Sequence, residues 1–104
     1  MFRKREPVDE LLLPSLPASY NDADKEWIQD VLTKMPRQTW AALCSEYSKI
    51  FNDKLNDETL PKVRRENVAR KQANEWLRAK QRRYLEIMAK REANSILHAK
   101  SNPF

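Results

Sequence analysis

The chain has 104 residues, of which 40% are hydrophobic and 34% charged, with a formal net charge of +5 and no glycine. That length allows one small domain with little surplus core stability. The missing glycine argues against primed-turn hairpins and left-handed loops, and removes phosphate-binding loops and dinucleotide fingerprints, which are built on it. An all-α protein is the expectation.

Residues 1–20 form the first segment. Pro7, Pro14 and Pro17 are spaced too closely for a helix to persist, so the segment reads as an irregular arm. Its apolar content (Phe2, Val8, Leu11, Leu12, Leu13, Leu16) leaves two readings open: a strap across the protein's own core, or a docking peptide for a partner. The opening "MFRKREPVDELLLP" starts basic, but its apolar run is three leucines ended by a proline, which does not read as a signal peptide. No segment approaches the roughly 20 apolar residues of a membrane span. We expect a soluble, cytoplasmic protein with no membrane contact.

"NDADKEWIQDVLTKM" opens the first predicted helix. Asn21 or Asp22 can cap it, and Asp22, Asp24 and Glu26 place negative charge at the positive end of the helix dipole. Trp27, Ile28, Val31, Leu32 and Met35 form a one-faced apolar stripe. Pro36 ends this helix and can start the next. In "PRQTWAALCSEYSKIFNDKL" the apolar positions Trp40, Leu43, Cys44, Tyr47, Ile50, Phe51 and Leu55 recur at three and four. The two helices and their tight turn read as a helical hairpin. Cys44 reads as a small buried hydrophobe in a reducing compartment.

"NDETLP" is the next boundary, with Asn56, Asp57 and Thr59 as possible caps and Pro61 as a first-turn proline. From there to about Leu97 nothing breaks a helix, which at 1.5 Å per residue would reach roughly 50 Å. That exceeds what so small a domain can cover, so its far end should project or meet a partner. The tail "HAKSNPF" is expected to fray. The expected architecture is therefore an irregular arm (1–20), a helical domain (21–100) in which a short hairpin packs on a long basic C-terminal helix, and a tail (101–104).

Charge divides along the same boundary. Residues 1–61 hold 8 basic and 11 acidic groups, and residues 62–104 hold 12 basic and 4 acidic. Part of this polarity can be internal complementarity between the acidic first helix and the basic long one. Arg64, Arg65, Arg70, Lys71, Arg78, Lys80, Arg82 and Arg83 are placed around the long helix rather than on one stripe. That matches a base-reading recognition helix poorly, though it would serve non-specific phosphate contact or simple solvation.

Chemistry-bearing sets are sparse. One cysteine and one histidine, His98, cannot make a zinc site, and no Ser/His/Asp spacing is present to support nucleophilic catalysis. The expectation is a non-enzymatic protein without cofactor or metal. Trp76, Leu77, Tyr84 and Met88 fall near one face of the long helix. The first task of that stripe is to cover the hairpin. Beyond the hairpin's reach Tyr84, Ile87 and Met88 should be exposed unless a partner covers them. Aromatic, methionine and arginine side chains together are what interfaces favour. The candidate partner-binding set is Trp76, Arg82, Arg83, Tyr84, Ile87 and Met88, with direct DNA or RNA binding through the basic helix as the competing reading.

Together, the proline-bearing arm, the tryptophan-marked hairpin "KEWIQDVLTKMPRQTWAALCSEY" and the basic C-terminal helix resemble the small accessory proteins of lambdoid bacteriophages. The layout looks most like the anti-RecBCD proteins of temperate Salmonella phages. The resemblance rests on size and layout, and no functional residue is carried over by position. It implies a modulator of the host nuclease–helicase that binds mainly to protein. It also implies contact with a host prolyl isomerase, for which Pro36 in "KMPRQ" and Pro61 in "TLPKV" are candidates. Each of the two also reads as a plain helix-start proline.

Overall fold

The computed structural model describes residues 13–101, with side chains through residue 95. Residues 1–12 of the expected arm and 102–104 of the expected tail lie outside the described residues. The described chain is all-α: α1 (Lys25–Thr33), α2 (Trp40–Leu55) and α3 (Lys62–Ser101), with no strand among the described residues. A short helical pair packs on a long C-terminal helix, as the periodicity predicts.

Local chemistry sets each boundary. Asn21 accepts a 2.8 Å hydrogen bond from the Ala23 N–H and starts a 3-10 turn at Asp22–Asp24 that leads into α1. Pro36 disfavours helical backbone in the residue before it, so α1 stops at Thr33 and Met35 lies beyond its end. Met35 stays in the core all the same, and its carbonyl accepts the Trp40 indole N–H at 3.1 Å. The Pro36 carbonyl accepts from the Thr39 N–H at 2.9 Å and the Thr39 hydroxyl at 2.6 Å, which fixes the corner before α2. Between α2 and α3 the Asp57 carboxylate accepts from the Thr59 N–H at 2.9 Å and the Thr59 hydroxyl at 2.6 Å, an Asx turn. Pro61, which has no N–H to leave unsatisfied, immediately precedes α3. The helix runs past the expected end near Leu97 to Ser101, since no residue from His98 to Ser101 interrupts it. Its 40 residues account for most of the 65 Å long dimension.

The core consists of Ile28, Val31 and Leu32 from α1, Met35 from the turn after it, Leu43, Tyr47 and Phe51 from α2, and Ala69, Ala73 and Leu77 from α3. The closest helix approach is between α2 and α3. Ala69 and Ala73, both 0% exposed, present no bulk to hold the two backbones apart. Tyr47 and Phe51 stack at 6.3 Å on the α2 side. α1 approaches α3 at fewer places and joins the core through Ile28, Val31 and Leu32. Burying each such aliphatic side chain contributes about 1.5–3 kcal/mol.

Residues 13–20 settle part of the question left open for the arm. Pro14 and Pro17 are buried, and Leu16 and Tyr20 pack against the core. The Ser19 N–H donates to Ser48 Oγ at 3.2 Å, and the Cys44 thiol donates to the Ser15 carbonyl at 3.3 Å. This part of the arm is a strap along α2. Burial pushes the half-buried Cys44 thiol above its ordinary pKa, which disfavours the reactive thiolate.

Candidate functional site: the overhang of the long helix

The polar groups that enter the core define where the covered part of α3 lies. Asp24, 9% exposed, receives two hydrogen bonds from the Arg70 guanidinium, Nε to Oδ2 and Nη2 to Oδ1, each 2.8 Å. Asn74 Nδ2 donates to the same carboxylate at 3.0 Å, and the Tyr47 hydroxyl donates to Asn74 Oδ1. This chain of four side chains links the entry to α1, the middle of α2 and α3. The bond from Arg70 holds the Asp24 carboxyl below its ordinary pKa against the opposing effect of burial. Burial, followed by the Asp24 charge, pushes the Tyr47 hydroxyl up to about 12. A carboxyl held low and a phenol held high are both removed from proton transfer near neutrality, so the network acts as a structural clamp.

The same contact sets the register of α2 on α3. With Tyr47 opposite Asn74 and the helices antiparallel, α2's first residue, Trp40, lies level with about residue 81 at equal rise per residue. Exposure follows this register. Ala69, Ala73 and Leu77 are fully buried, and Trp76 and Tyr84 are half-buried against the core edge. Past the end of α2, Leu85 is 54%, Ile87 37% and Met88 40% exposed. Of the six candidate partner residues, Trp76 and Tyr84 thus belong to the edge of the core. Arg82, Arg83, Ile87 and Met88 lie together on the exposed overhang. Leu85 joins them, and its place at i−3 from Met88 is the signal that could have included it. Val63, counted among the apolar positions of the helix, is 88% exposed.

Several cations of α3 are engaged within the chain. Arg70 is clamped to Asp24, Arg65 Nε donates to the Leu60 carbonyl at 3.0 Å, Arg78 stacks 4.8 Å from the centre of the Trp27 ring, and Lys80 lies 5.7 Å from that of Trp76. The complementarity between the acidic first segment and the basic helix is real at Arg70. On the overhang Arg82, Arg83, Lys90 and Arg91 are exposed, and none makes an ion pair among the described residues. An open hollow of about 550 Å³ runs past Arg83, Ile87, Lys90 and Ala93. Among the described residues only α3 lines it, unlike the enclosed, multi-element sites that hold small molecules.

The two candidate prolines differ in access. Pro36 is half-buried and held in its turn through its carbonyl, whereas Pro61 is exposed at the start of α3. Among the described residues no group of three or more His, Cys, Asp or Glu could hold a metal ion, and no helix is long and apolar enough to cross a membrane. Comparison with known proteins finds no matching family model, no similar curated protein and no similar solved structure.

Proposed function

We propose that this is a non-enzymatic accessory protein that docks on a partner protein through the overhang of α3. The observation that carries this reading is that exposed Leu85, Ile87 and Met88 lie beside four cations with no ion-pair partner among the described residues, on a stretch of helix that the described part of the domain does not cover. Apolar anchors ringed by charged side chains are the composition of binding surfaces. Following the layout resemblance, the partner is a host DNA-recombination nuclease–helicase of the RecBCD type in the bacterial cytoplasm, whose activity the bound protein modulates. A host prolyl isomerase is a second partner in this reading, with exposed Pro61 the more accessible of its two candidate contacts.

Direct DNA or RNA binding is the competing function. It is favoured by the exposed Arg82 and Arg83, and weakened because Arg70 and Arg78 are already engaged within the chain. Affinity purification from a nuclease-treated bacterial lysate separates the two. A stoichiometric nuclease–helicase retained after treatment, and lost with Leu85→Ala plus Met88→Ala, is the expected outcome. The double substitution should cost on the order of 2 kcal/mol in binding. Recovery of nucleic acid alone, abolished by Arg82→Ala plus Arg83→Ala, would replace this reading with the competing one.

A further inference from the structure

The apolar stripe of α3 that packs under α2 does not stop where α2 stops. Ala69, Ala73, Leu77, Tyr84 and Met88 follow one another at steps of four or seven residues, which keeps them on one face of an α-helix. The first three are buried beneath α2, Tyr84 is half-buried, and Met88 is 40% exposed, with Ile87 one turn from Tyr84 beside it. The surface that accepts α2 therefore continues for about two turns beyond it. We propose that this continuation is the seat for a helix of a partner protein, lying roughly in line with α2 and carrying acidic residues beside its apolar stripe. The proposal rests on the docking function above and adds the chemistry of the partner.

Charge selects the acidic occupant. Residues 82–95 carry Arg82, Arg83, Lys90 and Arg91 against Glu86 and Glu92, and the four cations have no ion-pair partner among the described residues. Carboxylates beside the partner's apolar stripe would meet them, while lysines there would be repelled. A second copy of this chain brings the same excess of cations to the contact and is disfavoured for that reason. Nucleic acid would use the cations but leave Leu85, Ile87 and Met88 uncovered. It would also find no exposed aromatic ring for base stacking between residues 82 and 95, since Tyr84 is turned to the core edge. The stripe turns polar at Arg91 and Ser95, so the apolar contact is short.

The test uses the full chain and two synthetic amphipathic helical peptides with the same leucine stripe, one flanked by glutamates and one by lysines. A DNA duplex serves as a third probe. Binding is read by fluorescence anisotropy and self-association by sedimentation. We expect the glutamate peptide to bind at least about tenfold more tightly than the lysine peptide. Leu85→Ala with Met88→Ala should weaken it by a similar factor at unchanged helicity. Arg83→Glu with Lys90→Glu should reverse the preference, a result an unfolded variant could not give. Equal binding of both peptides would overturn the acidic chemistry and leave the docking surface standing. Binding of neither would overturn the docking surface as well. Binding of the duplex alone, or a dimer dissolved by the Leu85/Met88 substitutions, would assign the face to nucleic acid or to a second copy.

Discussion

The two halves of α3 share a helix and a basic composition, yet their side chains have different tasks. From Ala69 to Tyr84 the apolar stripe packs in or against the core, and several cations before Tyr84 are fixed by the chain itself: Arg70 on Asp24, Arg65 on a carbonyl, Arg78 on Trp27. From Leu85 to Ser95 the described side chains are all exposed, and Lys90 and Arg91 have no ion-pair partner among the described residues. What separates the halves is the end of α2. Arginine is a fold determinant where α2 and the first helix reach it, as at Arg70 and Arg78, and a surface group where they do not.

The sharpest test of this division compares one substitution in each half. Leu77→Ala removes a side chain that is 1% exposed and should cost about 2–5 kcal/mol of stability. Met88→Ala, on the same face three turns later, should stay within about 0.5 kcal/mol. Denaturant midpoints measure both, and a comparable loss at Met88 would show that the overhang is covered in the free protein. Next in size is Asp24→Ala, which leaves the Asn74 amide without its acceptor and should cost about 1–3 kcal/mol. If that variant unfolds at the same denaturant concentration as the parent, the clamp does not hold α1 to α3.

The clamp also fixes the pH response. Asp24's carboxyl is held below its ordinary 3.8. Its stabilising contribution is present above that value and lost as pH falls through the lower folded pKa. Tyr47 is raised from 10.0 to about 12. Its contribution is complete below pH 10 and disappears as pH rises towards 12, because ionising the buried phenol favours the unfolded chain. Tyr47→Phe should flatten the alkaline limb of a stability–pH profile and leave the acid limb in place. The smallest effect is expected at Arg82→Ala plus Arg83→Ala: an unchanged thermal midpoint in the free protein. A clear drop there would mean that these arginines serve the fold as Arg70 does.

Much of the framework was legible because helical periodicity and proline punctuation are local signals. Ile28, Val31, Leu32, Leu43, Tyr47 and Phe51 could be assigned to core faces from spacing alone, and the overhang followed from helix length against domain size. The clamp was not legible. Asp24 reads as an ordinary dipole-complementing acid and Arg70 as one of many cations, since nothing in a period of 3.6 pairs residues 46 apart. Asn74 and Tyr47 satisfy one another only once α2 lies on α3. The strap was half legible. Proline spacing excluded a helix, but whether Leu16 covers its own core or another protein's depends on tertiary geometry that composition does not encode.

The position of the clamp within the chain also bears on synthesis. Asp24 emerges from the ribosome well before Arg70 and Asn74, and α1 and α2 emerge before the alanine surface of α3 against which they close. Until Leu77 has been made, Ile28, Leu32 and Tyr47 lack the helix that buries them. The nascent chain therefore cannot close this core until residues 69–77 have been made. A ribosome stalled before Leu77 would hold two amphipathic helices with their apolar faces open to chaperones.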